Sequence, residues 1–80
     1  MLLEYIQAAM RKAHYEYLAD DKLYYGEILD CQGVYASAPN LEDCRDELYS
    51  VLEDWLLISL QKNLPIPVID NISLEIKDVA

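Results

Sequence analysis

Glycine is scarce in this chain: Gly26 and Gly33 are the only two among 80 residues. Neither belongs to a G-x-G-x-x-G or G-x-x-x-x-G-K-[ST] run, so the sequence offers no backbone cradle for phosphate, and nucleotide binding is not expected. Histidine is scarcer still. His14 stands beside Tyr15 with no neighbouring nucleophile or acid, which is weak ground for general acid–base chemistry. Cys31 and Cys44 lie 13 positions apart, without a C-x-x-C pair or a nearby histidine. That spacing argues against a zinc site or a thioredoxin-type motif and leaves two buried free thiols as the expectation. Basic residues are few, 6 against 15 acids, for a net charge of -9. Phosphate backbones would repel such a chain, so direct nucleic-acid binding is not expected, whereas a basic partner would be attracted.

Long apolar runs are missing too. Glu4, Arg11 and Lys12 interrupt the segment that Leu2 and Leu3 open, so no signal-peptide core forms there. No run approaches the roughly 20 apolar residues that span a bilayer. The expected address is cytoplasmic, with no membrane partner and no cofactor.

What the chain does have is an apolar fraction of 54%, far above that of an acidic disordered tail. A domain this small buries only about 60–65% of the surface its unfolded chain exposes. Its core is therefore marginal, and self-association as a homodimer is expected to add stability.

The pattern along residues 1–80 reads as one α+β domain: a small antiparallel sheet packed against a long helix, with an extra N-terminal helix. Leu2, Tyr5, Ile6, Ala9 and Met10 fall at helical spacing within residues 1–12, with Glu4, Gln7 and Arg11 on the other side. Residues 13–38 read as three strands. A tyrosine-rich run at 13–19 and a second at 23–29 are joined by Asp20-Asp21 as a hairpin, and 33–38 alternates as a third strand. Short connections make them antiparallel. Five of the seven tyrosines lie between positions 15 and 35, and core and sheet packing account for most of them.

Pro39 stops the third strand, and Asn40 stands where an N-cap belongs, with Glu42 and Asp43 in the first turn. A helix is predicted over 41–62. Leu41, Cys44, Leu48, Val51, Leu52, Trp55 and Ile58 fall on its inner side, and Glu42, Asp43, Asp46, Glu47, Glu53 and Asp54 on its outer side. Six carboxylates on a convex surface splay apart, so they form a solvated face rather than a metal site. Leu57 and Leu60 land among the acids and need covering. Residues 63–80 form an extended tail. The two prolines of LPIPVID restrict that run to an edge strand or a strap that would lie over Leu57 and Leu60, and Ile72, Leu74 and Ile76 alternate as a further edge strand.

Tyr24-Tyr25-Gly26-Glu27-Ile28, Asp30, Gly33-Val34-Tyr35-Ala36, then Leu41-Glu42-Asp43-Cys44 opening a long helix that ends near Leu64-Pro65-Ile66-Pro67, together resemble the HicB-like antitoxin domain. The resemblance covers roughly residues 13–70. It implies a partial RNase H-like fold without nuclease activity, and a partner, a HicA-like toxin: a small basic protein that cleaves RNA. Two departures matter. Many such antitoxins carry a C-terminal DNA-binding segment, whereas the roughly 18 residues that follow the long helix here are neither helical in pattern nor basic, so autorepression by this chain alone is not expected. The N-terminal helix is extra, and Cys31 and Pro39-Asn40 replace the proline and glycine-threonine common near those turns.

The function expected is therefore that of a HicB-like antitoxin, not an enzyme, which binds and masks a basic RNA-cleaving toxin. Glu42, Asp46 and Glu53, with Leu57 and Leu60, are the expected partner-binding residues. The alternative is an orphan self-associating interaction module with no toxin partner. An RNase H-like metal enzyme would need clustered carboxylates at strand ends, where only Glu16, Glu27 and Asp30 stand.

Overall fold

Tyr5, Ile6, Ala8 and Ala9 are buried along one side of Leu2–Arg11, and that apolar stripe makes the segment a helix, α1, in the computed structural model, which describes residues 2–74. Three strands follow, β1 (His14–Leu18), β2 (Leu23–Glu27) and β3 (Tyr35–Ala38), and then the long helix α2 (Leu41–Gln61). The expected α+β architecture is present. The sheet is antiparallel in the order β1-β2-β3, with Tyr15 opposite Gly26 and Gly26 opposite Ala36.

β2 and β3 are shorter than the alternation suggested. Ile28, Cys31 and Val34 leave the sheet and turn their side chains into the core, while Gly33 takes a φ of 91° in the turn between them. Ile28 N–H donates to Val34 O at 3.1 Å and Cys31 N–H to Ile28 O at 3.0 Å, so the loop pairs its own backbone.

Both ends of α2 are capped. Asn40 Oδ1 accepts from Asp43 N–H at 2.8 Å, and Asn40 Nδ2 donates to Asp43 Oδ2 at 2.9 Å, which satisfies one of the orphan donors of the first turn. At the other end Asn63 adopts a φ of 53°, and Leu64 N–H reaches back to Ser59 O at 2.9 Å, as in a Schellman stop with asparagine as the left-handed residue. Pro65 then prevents the helix from resuming.

The inner face of α2 is carried by Cys44, Leu48, Leu52, Leu56 and Ser59. This corrects the sequence reading at its far end, where Ile58 is 49% exposed, as is Leu41 at 46% at the start, and Val51 and Trp55 are half-buried. The reason is length. A helix of 21 residues runs about 31 Å, whereas a five-residue strand covers about 17 Å. The first half of α2 lies on β2 and β3; the second half outruns the sheet and turns its buried side toward Ile6 of α1 and the returning chain.

That returning chain is a strap, but it does not cover Leu57, which stays 55% exposed. It runs instead against α1. Tyr5 Oη donates to Pro67 O at 2.6 Å, Ile66 and Ile69 are buried, and Asp70 carries Arg11 and Lys12 at 3.7 and 3.8 Å. Asp70 and Asn71 both take positive φ in a two-residue turn that bridges Ile69 to Ile72. No fourth strand joins the sheet among the described residues, and Ile76, assigned to that strand, lies outside them.

Gly26 marks a close approach of both α2 and the β1 side chain Tyr15 to β2. A Cβ there would stand 2.9 Å from ring carbons of Tyr15 and 3.3 Å from Cys44 Sγ. Gly26→Ala is expected to destabilise the fold by about 1–3 kcal/mol through overpacking, read as a lower urea midpoint at unchanged m-value.

Candidate partner-binding faces

At 100° per residue, Glu42, Asp46, Glu53, Leu57 and Leu60 fall within about 60° of one another on α2. All three acids are exposed and Leu60 is half-buried. They form one stripe but not one pocket. Glu53, Leu57 and Leu60 share a small groove of about 70 Å³ with Leu2, Ile6 and Leu56. Asp46 faces a separate dip between β3 and α2, beside Asp43 and Glu47, and Glu42 sits about 16 Å along the helix from Glu53. The leucines are thus the apolar end of an acidic ridge.

A second face emerges from strand register. His14, Glu16 and Leu18 of β1, Leu23, Tyr25 and Glu27 of β2, and Tyr35 and Ser37 of β3 all point away from α2. None of these side chains is fully buried, because helix and strap both pack elsewhere. Tyr25 and Tyr35 stack across the strands with centroids 6.2 Å apart and planes at 29°, and Tyr25 Oη donates to Glu27 Oε2 at 3.1 Å. Burial, then that hydrogen bond and the adjacent carboxylates, raise the Tyr25 pKa, so the hydroxyl stays protonated as a donor. Core and sheet packing does account for most tyrosines, as the cross-strand Tyr17–Tyr24 and Tyr25–Tyr35 contacts show, but sequence reasoning passed over this face. Of the seven, only Tyr5 is fully buried, while Tyr17 and Tyr35 are 53% and 59% exposed. The alternation of Glu16, Tyr25, Glu27 and Tyr35 carried the signal; which side of the sheet α2 would cover did not follow from it.

The family profile described as UPF0150-like matches residues 4–67. The chain belongs to the UPF0150-like family. Its fold is similar to that in the crystal structure of TTHA0281 from Thermus thermophilus, with a TM-score of 0.88 and 39% identity over 95% of this chain and 94% of that one. No curated protein matches the chain. The matched span takes in α1, so in this family member the N-terminal helix is part of the domain.

Elsewhere this UPF0150-like chain is poor in reactive chemistry. Among the described residues no group of three or more His, Cys, Asp or Glu side chains converges as a metal site, and no helix is long and apolar enough to cross a membrane. Glu16 and Glu27 lie on the open sheet face, away from Asp30 in the following turn. Arg45, the one base among the acids of α2, lines a cleft of about 410 Å³ with Arg11, Tyr15 and Tyr49.

Both thiols are free and buried, as expected. Burial raises the pKa of each. Cys44 Sγ donates to Ala36 O at 3.6 Å, and Tyr5, its own proton committed to Pro67, lies 4.0 Å from Cys31 Sγ. Tyr5 is itself raised well above its ordinary range, first by burial. The unfolded chain therefore ionises these groups first. Stability is expected to hold below the ordinary thiol value of 9.0 and to fall as pH climbs past it, and Ellman's reagent should titrate both thiols rapidly only after unfolding. A thermal midpoint unchanged between pH 8 and pH 10 would contradict this.

Proposed function

We propose that this chain is a HicB-like antitoxin that masks a small basic RNA-cleaving toxin through protein–protein contact. The observation that carries the reading is the ridge of α2, where Glu42, Asp46 and Glu53 stand exposed and lead into Leu57 and the groove beside it. A ridge of one sign speeds encounter with an oppositely charged protein by about 10- to 1,000-fold, and its carboxylates compete with RNA phosphates for the same basic surface. Exposed leucines at the end of the ridge supply the apolar contact that charge alone does not. Membership of the UPF0150-like family supports the reading, as does the position of the residues that resemble the HicB-like domain, nearly all inside the matched span.

The second reading, a self-associating module, draws on the same leucines. Leu2, Leu3 and Leu57 are 44%, 59% and 55% exposed, and a second copy would cover them. The two readings part experimentally. Co-expression with the product of an adjacent small basic reading frame is expected to yield a stable complex, and the Glu42→Lys, Asp46→Lys, Glu53→Lys triple variant to lose at least about 90% of the co-purifying protein. A chain that retains no basic protein, yet sediments as a dimer that Leu57→Asp converts to monomer, would establish the second reading in place of the first.

A further inference from the structure

We propose that the open face of the sheet is a receptor for arginine side chains of a protein partner, with Tyr25, Glu27, Tyr35 and Glu16 as its binding groups. The inference rests on the partner being basic, as above, but places this contact on the side of the molecule opposite α2.

An antiparallel sheet this small ordinarily covers one face and leaves the other polar. Here the uncovered face is neither plainly polar nor plainly apolar. Tyr25 stands at its centre and stacks on Tyr35 at the β3 edge, its only acids are Glu16 and Glu27, and Leu18 and Leu23 close one end. His14 and Ser37 are its remaining members, and neither Lys nor Arg lies among them. Glu16 is directly opposite Tyr25 in register, and Glu27 is both the acceptor of the Tyr25 hydroxyl and the neighbour of Tyr35. Ring faces thus lie beside carboxylates, each held at a fixed register by the ladder. A guanidinium fits that arrangement because it is planar, stacks on an aromatic ring and presents paired N–H donors to a carboxylate at the same time. An ammonium satisfies the charge but not the stacking.

A second copy of this chain fits poorly. Each copy carries a net charge of -9, and packing sheet on sheet would bring Glu16 and Glu27 of both copies into one desolvated layer without a Lys or Arg from either face. Charge complementarity selects a cationic occupant.

The test uses the full chain and two probes, a tetra-arginine and a tetra-lysine peptide, titrated at about 0.15 M salt so that charges on the far side of the domain are screened, and followed by backbone amide NMR. The arginine peptide is expected to bind several-fold more tightly than the lysine peptide and to shift the amides of β1, β2 and β3. The Glu16→Gln, Glu27→Gln double variant and the exposed-site variant Tyr35→Ala should each weaken it by roughly tenfold. The Glu47→Gln, Asp54→Asn double variant removes as much charge from α2, outside the ridge proposed above, and should leave binding within about twofold. If the α2 variant weakens binding as much as the sheet variants, or the shifts map to α2, the peptide responds to net charge and the receptor is refuted. A dimer that Tyr35→Asp dissociates would likewise overturn it, in favour of a second copy. None of these outcomes depends on a toxin being found, so the receptor and the antitoxin reading fail separately.

Discussion

The close approach of α2 to β2 at Gly26 is the constraint on which the rest of the architecture depends. With no side chain at that position, the ring of Tyr15 and the thiol of Cys44 occupy the space a Cβ would need, and Ala36 and Ala38 on β3 keep the neighbouring floor equally low. Cys44 is then near enough for its S–H to reach the Ala36 carbonyl. A helix seated this closely has its rotation determined in the first turns. Cys44, Leu48 and Leu52 go inward, and the carboxylates of the same turns have nowhere to go but out.

The sheet can hold only the first half of so long a helix, and the remainder is stabilised by a different set of partners. α1 and the strap after Asn63 supply them, tied to each other by the Tyr5 hydroxyl on Pro67 and by Arg11 and Lys12 beside Asp70. The exposed ion pairs contribute little, under about 1 kcal/mol each. The buried apolar groups, Tyr5, Leu56, Ile66 and Ile69, contribute more. Because the strap is drawn to α1, it leaves Leu57 bare, and the apolar groove beside the acidic ridge is a consequence of that choice of partner.

Acidity on this scale works against a small core, since like charges destabilise the compact state. The fold separates its charges by place. Arg11, Lys12 and Arg45 gather near the C-terminal end of α1, where Arg11 and Lys12 also complement the helix dipole, while the outer surface of α2 and the open sheet face are left acidic. The two acidic surfaces differ in kind: one pairs carboxylates with leucine, the other with tyrosine. A basic protein gripped on both would bury aliphatic contacts at one and planar cations at the other.

Local chemistry was legible from the chain itself. Asn40 as N-cap, the turn at Asp20-Asp21, the order of helices and strands and the outward side of α2 all follow from short-range steric and hydrogen-bonding rules that act within a few residues. The burial of both cysteines follows from their surroundings in sequence just as directly. What sequence reasoning misplaced were Ile58 and the covering of Leu57, and each depends on which element lies against which. Periodicity states that a face is apolar, not what will cover it or where that cover ends. Sequence alone therefore determined an acidic α+β domain with its charge on the outside of one helix. Tertiary structure decided that α2 outruns its sheet, that the strap goes to α1, and that Tyr25 and Tyr35 face solvent, because only packing between distant segments chooses one side of a sheet to bury.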